Sequence, residues 1–324
     1  MTTSHGGPDA LGVPRWDFST NANACGPCPI ALTSVQQADA RHYPDPAYTA
    51  LRESLAAFHA VDAARIVLAG SASEFIARFT AWVVREGGQR VWLPPMAYGD
   101  YARAARAWGL ERVHDSGRAQ LAWLCEPGSP LGEPEPFALR VAASGARVVL
   151  DRAYEPLRLS GRCSLDPVAL QQVWQLWTPN KALGLTGVRG AYAIAPAHAL
   201  ADARALDGMA PSWPLGTHAV ALLEAWVSPA TQDWLALSLE RLSEWRMRQR
   251  ELLAKLGWIG LPSDANFFCA APPRRLDVAA LRAAGIKLRD TMSMGLPGHW
   301  RLAVMPPEAQ DALHQALRQQ ERVA

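Results

Sequence analysis

One lysine stands where an amine could do covalent chemistry. Lys181 follows an apolar run, Val173 to Trp177, and a Thr-Pro-Asn turn. After it come Gly184, Gly187 and Arg189, then a second apolar run from Ala191. A lysine between two buried strands is costly unless it is paired, neutral or covalently bonded. Held out of water, such an amine becomes a nucleophile for an aldehyde. Arg189, reached after two glycines that let the backbone approach closely, suits a dianionic phosphate. An aldehyde together with a phosphate describes pyridoxal 5'-phosphate. A plainer reading of the same residues is a strand, a glycine-rich turn and a lysine extended to solvent.

Three other stretches carry candidate chemistry. Arg65–Gly70 is a short apolar strand, and Ser71-Ala72-Ser73-Glu74 then opens a helix holding Phe75, Ile76 and Phe79. A helix N-terminus offers unpaired backbone N–H groups and a positive dipole end to an anion. An ordinary Ser N-cap accounts for the same residues and is compatible with that role. Ala146–Leu150 is a continuous apolar strand ending in Asp151. A carboxylate at the carboxyl end of a buried strand lies where α/β sheets bind ligands. Facing a pyridine nitrogen it would keep that nitrogen protonated; otherwise it caps a loop or pairs with Arg152. Arg301, within Trp300-Arg-Leu-Ala-Val304, needs a carboxylate partner if buried, and a ligand could provide it. Arg289 could serve beside it or pair with Asp290 at the surface.

Thr178-Pro-Asn-Lys181, Gly184-Leu-Thr-Gly187 and Arg189-Gly-Ala-Tyr192 resemble the Schiff-base lysine motif of fold-type I pyridoxal-phosphate aminotransferases. Over nearly its whole length the chain is similar to the threonine-phosphate decarboxylase branch of that superfamily, which serves cobalamin synthesis. The resemblance implies that Lys181 holds the cofactor, and that Thr178, Arg189 and the Ser71–Ser73 turn contact it. It further implies that Tyr98 covers the cofactor ring, Asp151 faces its nitrogen and Tyr154 meets its phenolic oxygen. His5-Gly6-Gly7 and Asp17-Phe-Ser-Thr-Asn21-Ala-Asn23 resemble the family's arm over the active site. His5, Gly6, Asn21, Arg289 and Arg301 are thereby implied in substrate binding. Tyr43, in Tyr-Pro-Asp45, is implied to reach the cofactor phosphate of a partner subunit in a homodimer with shared active sites; alone it reads as a half-buried turn residue. Two departures stand out. Ala24 replaces a proline, and Glu126-Pro-Gly-Ser129-Pro-Leu-Gly132 replaces Asn-Pro-x-Asn-Pro-x-Gly. Ser129 therefore takes a position that binds both cofactor and substrate in the family, with a shorter side chain.

The elements that must position these residues divide the 324-residue chain, which is long for one core. An arm (1–40) without helical periodicity up to residue 30 precedes a large α/β domain (41–210) with a mostly parallel sheet. A linker helix and a smaller α+β domain (211–324) follow. Helices are expected at 197–208, 216–227 and 229–257, separated by prolines. The hydrophobic fraction of 49% supports a large interior, and 13 tryptophans favour an oligomer. Net charge +2 gives no reason to expect nucleic acid or an anionic membrane as partner. No apolar run is long enough to span a bilayer, and the first residues lack a signal-peptide pattern, so a soluble cytoplasmic protein is expected. Cys25-Gly-Pro-Cys28 matches a dithiol redox motif in letters, yet a loop composition precedes it and Pro29 follows. The remaining cysteines are isolated, so no metal site is expected.

These readings lead to decarboxylation of L-threonine O-3-phosphate by a pyridoxal-phosphate lyase. Two alternatives are a histidinol-phosphate-type aminotransferase, and a cofactor-binding protein of reduced catalysis with an assembly role. The altered loop at 126–132 is the sole support for the last.

Overall fold

The structure, a computed structural model, describes residues 6–323. The arm contributes β1 (Trp16–Asp17) and then, unexpectedly, a helix, α1 (Pro29–Gln37). Proline at its first position suits a helix start because that N–H has no intrahelical acceptor. Helix α2 (Thr49–His59) leads into the main sheet, which comprises β2 (Ile66–Ala69), β3 (Arg90–Trp92), β4 (Glu111–Val113), β5 (Leu121–Cys125), β6 (Arg147–Asp151), β7 (Trp174–Trp177) and β8 (Ala191–Ile194). Its spatial order is β2-β8-β7-β6-β5-β3-β4. Pairings from β4 through β7 are parallel, while β8 runs antiparallel to both neighbours. The mostly parallel sheet expected from sequence is present. Strand β4 was not foreseen, since Glu111 and Arg112 leave its apolar pattern too weak to read.

Alternate residues of the central strands enter different cores, as a period of two requires. Leu121, Trp123 and Val149 pack against α3 (Ala72–Arg85), α4 (Gly99–Ala107) and α7 (Leu200–Gly208) through Phe75, Phe79, Trp82, Tyr101 and Leu206. Ala122, Leu124, Val148 and Leu150 meet α5 (Ala138–Ala142) on the other face; α6 (Pro167–Leu170) lies beside it. Both faces of the sheet are covered, which is why these strands read as unbroken apolar runs. Helices α8 (Thr217–Trp226) and α9 (Pro229–Ala254) lead to the small domain. There β9 (Ile259–Gly260), β10 (Phe267–Ala271), β12 (Arg289–Asp290) and β13 (Trp300–Ala303) form an antiparallel sheet in the order β12-β13-β10-β9. Helices α10 (Val278–Ala283) and α11 (Pro307–Val323) complete it. Just before β12, β11 (Ile286–Lys287) lies outside this sheet and pairs in parallel with β1 of the arm. No described helix is long and apolar enough to cross a membrane.

The turn between β7 and β8 is fastened to the arm. Asn23 N donates to Lys181 O at 2.8 Å, Asn23 Nδ2 to Ala182 O at 3.0 Å, and Cys28 N to Leu183 O at 2.8 Å. The two chains approach so closely that a Cβ on Gly184 would lie 3.0 Å from Gly26 Cα and 3.1 Å from Pro27 Cα. Gly184 also has φ +67°, a left-handed conformation that disfavours side chains. Gly184→Ala is expected to cost about 1–3 kcal/mol of stability. Denaturant unfolding of the variant measures this; an unchanged midpoint would disprove the close contact.

Candidate active site

The carboxyl ends of β5, β6 and β7 open into a cavity of about 500 Å³ between the large domain, the arm and the small domain. Lys181 lines it, half-buried rather than enclosed as its place between strands suggested, with Nζ 5.3 Å from the Tyr154 ring centroid. The turn around it is organised by Asn180. Its side chain accepts from Thr178 Oγ1 at 3.1 Å and donates to Val188 O at 3.3 Å, while its carbonyl accepts from Leu185 N at 2.8 Å. These bonds set Thr178, Lys181 and Arg189 on one cavity wall. Arg189 is more exposed than a buried phosphate ligand would be, and among the described residues no carboxylate stands within ion-pair distance of it.

Ser71 caps α3, its Oγ accepting from Glu74 N at 3.1 Å. The cap leaves the first-turn N–H groups of Ala72 and Ser73 without intrahelical acceptors, and both residues face the cavity. The Ser N-cap therefore leaves the same turn free to hold an anion. Asp151 sits at the end of β6, nearly fully buried. Its Oδ2 accepts from Tyr101 Oη at 2.7 Å and its Oδ1 from Ala153 N at 3.0 Å. Burial pushes this carboxyl upward; the Tyr101 and Ala153 bonds and the Lys181 charge oppose that push. The alternative pairing with Arg152 is absent: that guanidinium bonds Gln175 and stands 3.1 Å from Glu155. Tyr98 begins α4 and lines the cavity, its Oη donating to Asp100 Oδ2 at 2.9 Å.

Across the cavity, Arg289 and Arg301 are directly paired residues on antiparallel β12 and β13. Both are only 6% exposed, and both face the cavity. Burial and the neighbouring Arg301 charge push the Arg289 guanidinium down. Arg301 Nη1 donates to Ser129 Oγ at 3.1 Å and Nη2 to Ser19 O at 3.1 Å, while its Nε has no hydrogen-bond partner. Among the described residues no carboxylate stands within ion-pair distance of Arg301.

The departure at 126–132 is built into the structure. Glu126, fully buried, accepts from Ser164 N at 2.8 Å and pairs with Arg158 at 3.2 Å. Glutamate is tolerated there because it has this buried cation as partner. Ser129 lines the cavity, and its hydroxyl accepts from Arg301.

Not every residue implied in the site lines this cavity. Asn21 does not line the cavity; it is fully buried at φ +59°, its Nδ2 3.4 Å from Tyr154 Oη. Tyr43 is 76% exposed rather than half-buried, stacks on Trp213 at 4.3 Å, and does not line this cavity. His5 lies outside the described residues, whereas Gly6 does line the cavity. Cys25 and Cys28 are both free thiols. The sequence reading also missed Tyr101, Asn180, Ser19, Thr20 and the Asp100–Arg103 pair. Tyr101 had a signal, its i+3 spacing from Tyr98 on one helix face. Asp100 and Arg103 have the pattern of an ordinary surface ion pair.

Pyridoxal phosphate fits this donor set. Lys181 would hold its aldehyde, Asp151 its ring nitrogen, and the α3 N-terminus with Arg189 its phosphate. Lys181→Ala is expected to abolish borohydride trapping of the cofactor, read by mass spectrometry of the reduced peptide. Trapping on another lysine in the wild-type chain would refute the assignment. Tyr101→Phe keeps the ring stacked on Trp123 and removes the bond that favours the charged form of Asp151. The Asp151 carboxyl should then rise further, so cofactor loss on acidification should begin at higher pH. A pH titration of bound-cofactor absorbance checks the direction.

Comparison with known proteins agrees with this geometry. The family model for aminotransferase class I and II matches residues 16–116 and 130–317. Histidinol-phosphate aminotransferase 1 of Archaeoglobus fulgidus is 27% identical, covering 93% of this chain and 98% of its own. A crystal structure of histidinol-phosphate aminotransferase from Sinorhizobium meliloti in complex with pyridoxal-5'-phosphate superposes with TM-score 0.76 at 24% identity, over 92% of this chain and 89% of that one. L-Threonine-O-3-phosphate decarboxylase from Porphyromonas gingivalis superposes with TM-score 0.79 at 19% identity, over 94% and 99%. The chain belongs to the class I and II aminotransferase family, with the fold-type I architecture and pyridoxal 5'-phosphate as its cofactor.

Proposed function

We propose that this protein decarboxylates L-threonine O-3-phosphate to (R)-1-aminopropan-2-yl phosphate, working as a homodimer. The observation that carries the reading is the facing pair Arg289 and Arg301, both buried and both open to the cavity. Threonine phosphate has a carboxylate on Cα and a phosphate on the adjacent carbon, two anions at the spacing of neighbouring strands. Histidinol phosphate has one anionic group and offers an anion to only one of the two guanidiniums.

Arg289 and Arg301 hold the two anions and so set which Cα bond stands perpendicular to the cofactor ring. Arg301 Nε, buried without an acceptor, is available to the substrate. Asp151, whose charged form the Tyr101 bond favours, would hold a proton on the ring nitrogen. Pyridoxal phosphate, held by Lys181 until the substrate amine displaces it, would supply an electron sink for the pair left at Cα when CO2 departs. Lys181 Nζ, freed by that displacement, would donate a proton to Cα. The arm residues Gly6, Ser19 and Thr20 close the cavity against water. Tyr43, exposed and away from its own cavity, would serve the site of the second subunit.

An aminotransferase acting on histidinol phosphate is the second reading, favoured by the name of the Archaeoglobus fulgidus relative. Product analysis separates the two. CO2 release from threonine phosphate without an added 2-oxo acid is expected. Amino transfer from histidinol phosphate to 2-oxoglutarate, with no CO2 released, would overturn the proposal. Arg301→Met should lower kcat/KM for threonine phosphate by roughly ten- to hundredfold, from a lost contact of about 1.5–3 kcal/mol. Unchanged steady-state kinetics would remove Arg301 from the site.

A further inference from the structure

The segment of the arm that closes the cavity is held at one point by charge. Asp9 accepts from Arg282 Nε at 3.1 Å and Nη2 at 2.9 Å, a bidentate pair, and lies 3.1 Å from Lys287 Nζ. The same two cations bind the backbone around it: Lys287 Nζ donates to Gly7 O at 2.5 Å and Arg282 Nη2 to Gly12 O at 2.9 Å. Asp9 and Gly12 close the loop with a backbone bridge. Both cations sit beside the substrate wall, Arg282 on α10 and Lys287 two residues before Arg289.

The loop is tied in turn to the cavity. Gly7 N donates to Ser19 Oγ at 2.8 Å, and Ser19 O accepts from Arg301 Nη2. Gly6 lies so near that a Cβ there would come within 2.2 Å of Ser19 O. Leu11 and Val13, the apolar residues nearest the bridge, are exposed, so apolar burial contributes little there. We infer that Asp9 is a positioning residue for substrate: its ion pairs with Arg282 and Lys287 latch the arm so that Gly6 and Ser19 complete the cavity against Arg301. Its link to threonine phosphate rests on the proposed function; the latch itself does not.

Asp9→Asn, Asp9→Glu and Arg282→Gln in the full-length holoenzyme test this. At low salt Asp9→Asn and Arg282→Gln should each raise KM for L-threonine O-3-phosphate by roughly three- to fivefold, the scale of a partly exposed ion pair. The kcat and the amount of borohydride-trapped cofactor should match wild type, and Asp9→Glu should recover part of the loss. In about 1 M salt, where screening acts within about 3 Å, the difference from wild type should shrink. Hydrogen exchange should be faster over residues 7–18 in Asp9→Asn and Arg282→Gln, with the rest of the chain unchanged. Wild-type exchange over 7–18 together with wild-type KM in both variants would overturn the latch. If the wild-type enzyme does not turn over threonine phosphate, the functional reading fails, and exchange over 7–18 still decides the latch.

Discussion

The constraint on which this active site depends is the backbone bonding between the arm and the lysine turn. Lys181 O, Ala182 O and Leu183 O all accept from Asn23 or Cys28, so the turn cannot move without the arm. A few residues earlier, β1 adds to β11 of the small domain. The arm therefore joins the element that carries the lysine to the elements that carry the arginines. Neither domain could complete the cavity alone, and the distance from amine to guanidiniums is set along this seam.

The second organising feature is an unequal distribution of charge. Lys181, Arg189, Arg289 and Arg301 all face the cavity, whereas the acids facing it are Asp100 and Asp151. Asp100 is already engaged by Tyr98 and Arg103, and Asp151 by Tyr101. Cations buried beside one another are costly in a protein interior, and anions bound between them remove that cost. A cofactor phosphate would provide one such anion, and the proposed substrate two more. The substitution at Glu126 lies outside this balance. It is paired with Arg158 below the cavity wall, and only Ser129 of its loop enters the charged region.

Burial explains why residues at the carboxyl edge of the sheet differ in role from their sequence neighbours. Asp151 and Arg152 are adjacent, yet the first faces the cavity and the second turns toward Gln175 and the Trp177 ring. The alternation of the strand sends consecutive side chains to opposite faces. Tyr101, behind Asp151 and stacked on Trp123, is held in place by the aromatic core under the sheet. Core packing and site electrostatics are the same contacts in this region.

The sequence by itself determined the local features. Unbroken apolar runs marked β5, β6 and β7, the Ser71–Glu74 turn marked the start of α3, and the residues around Lys181 marked a turn that lines the cavity. Each depends on interactions within a few residues, where composition and spacing leave few alternatives. Tertiary structure decided the rest. The pairing of β1 with β11 lies between residues 270 positions apart, and nothing in a two-residue strand announces its partner. Tyr101, Ser19 and Asp9 act through contacts with Asp151, Arg301 and Arg282, none of them near in sequence. Asn21 and Tyr43 keep identical letters whether or not they reach the cavity; only packing places one in the core and the other at the surface. Long-range pairing follows from the burial of the whole chain, and that information is distributed over residues which, taken singly, look ordinary.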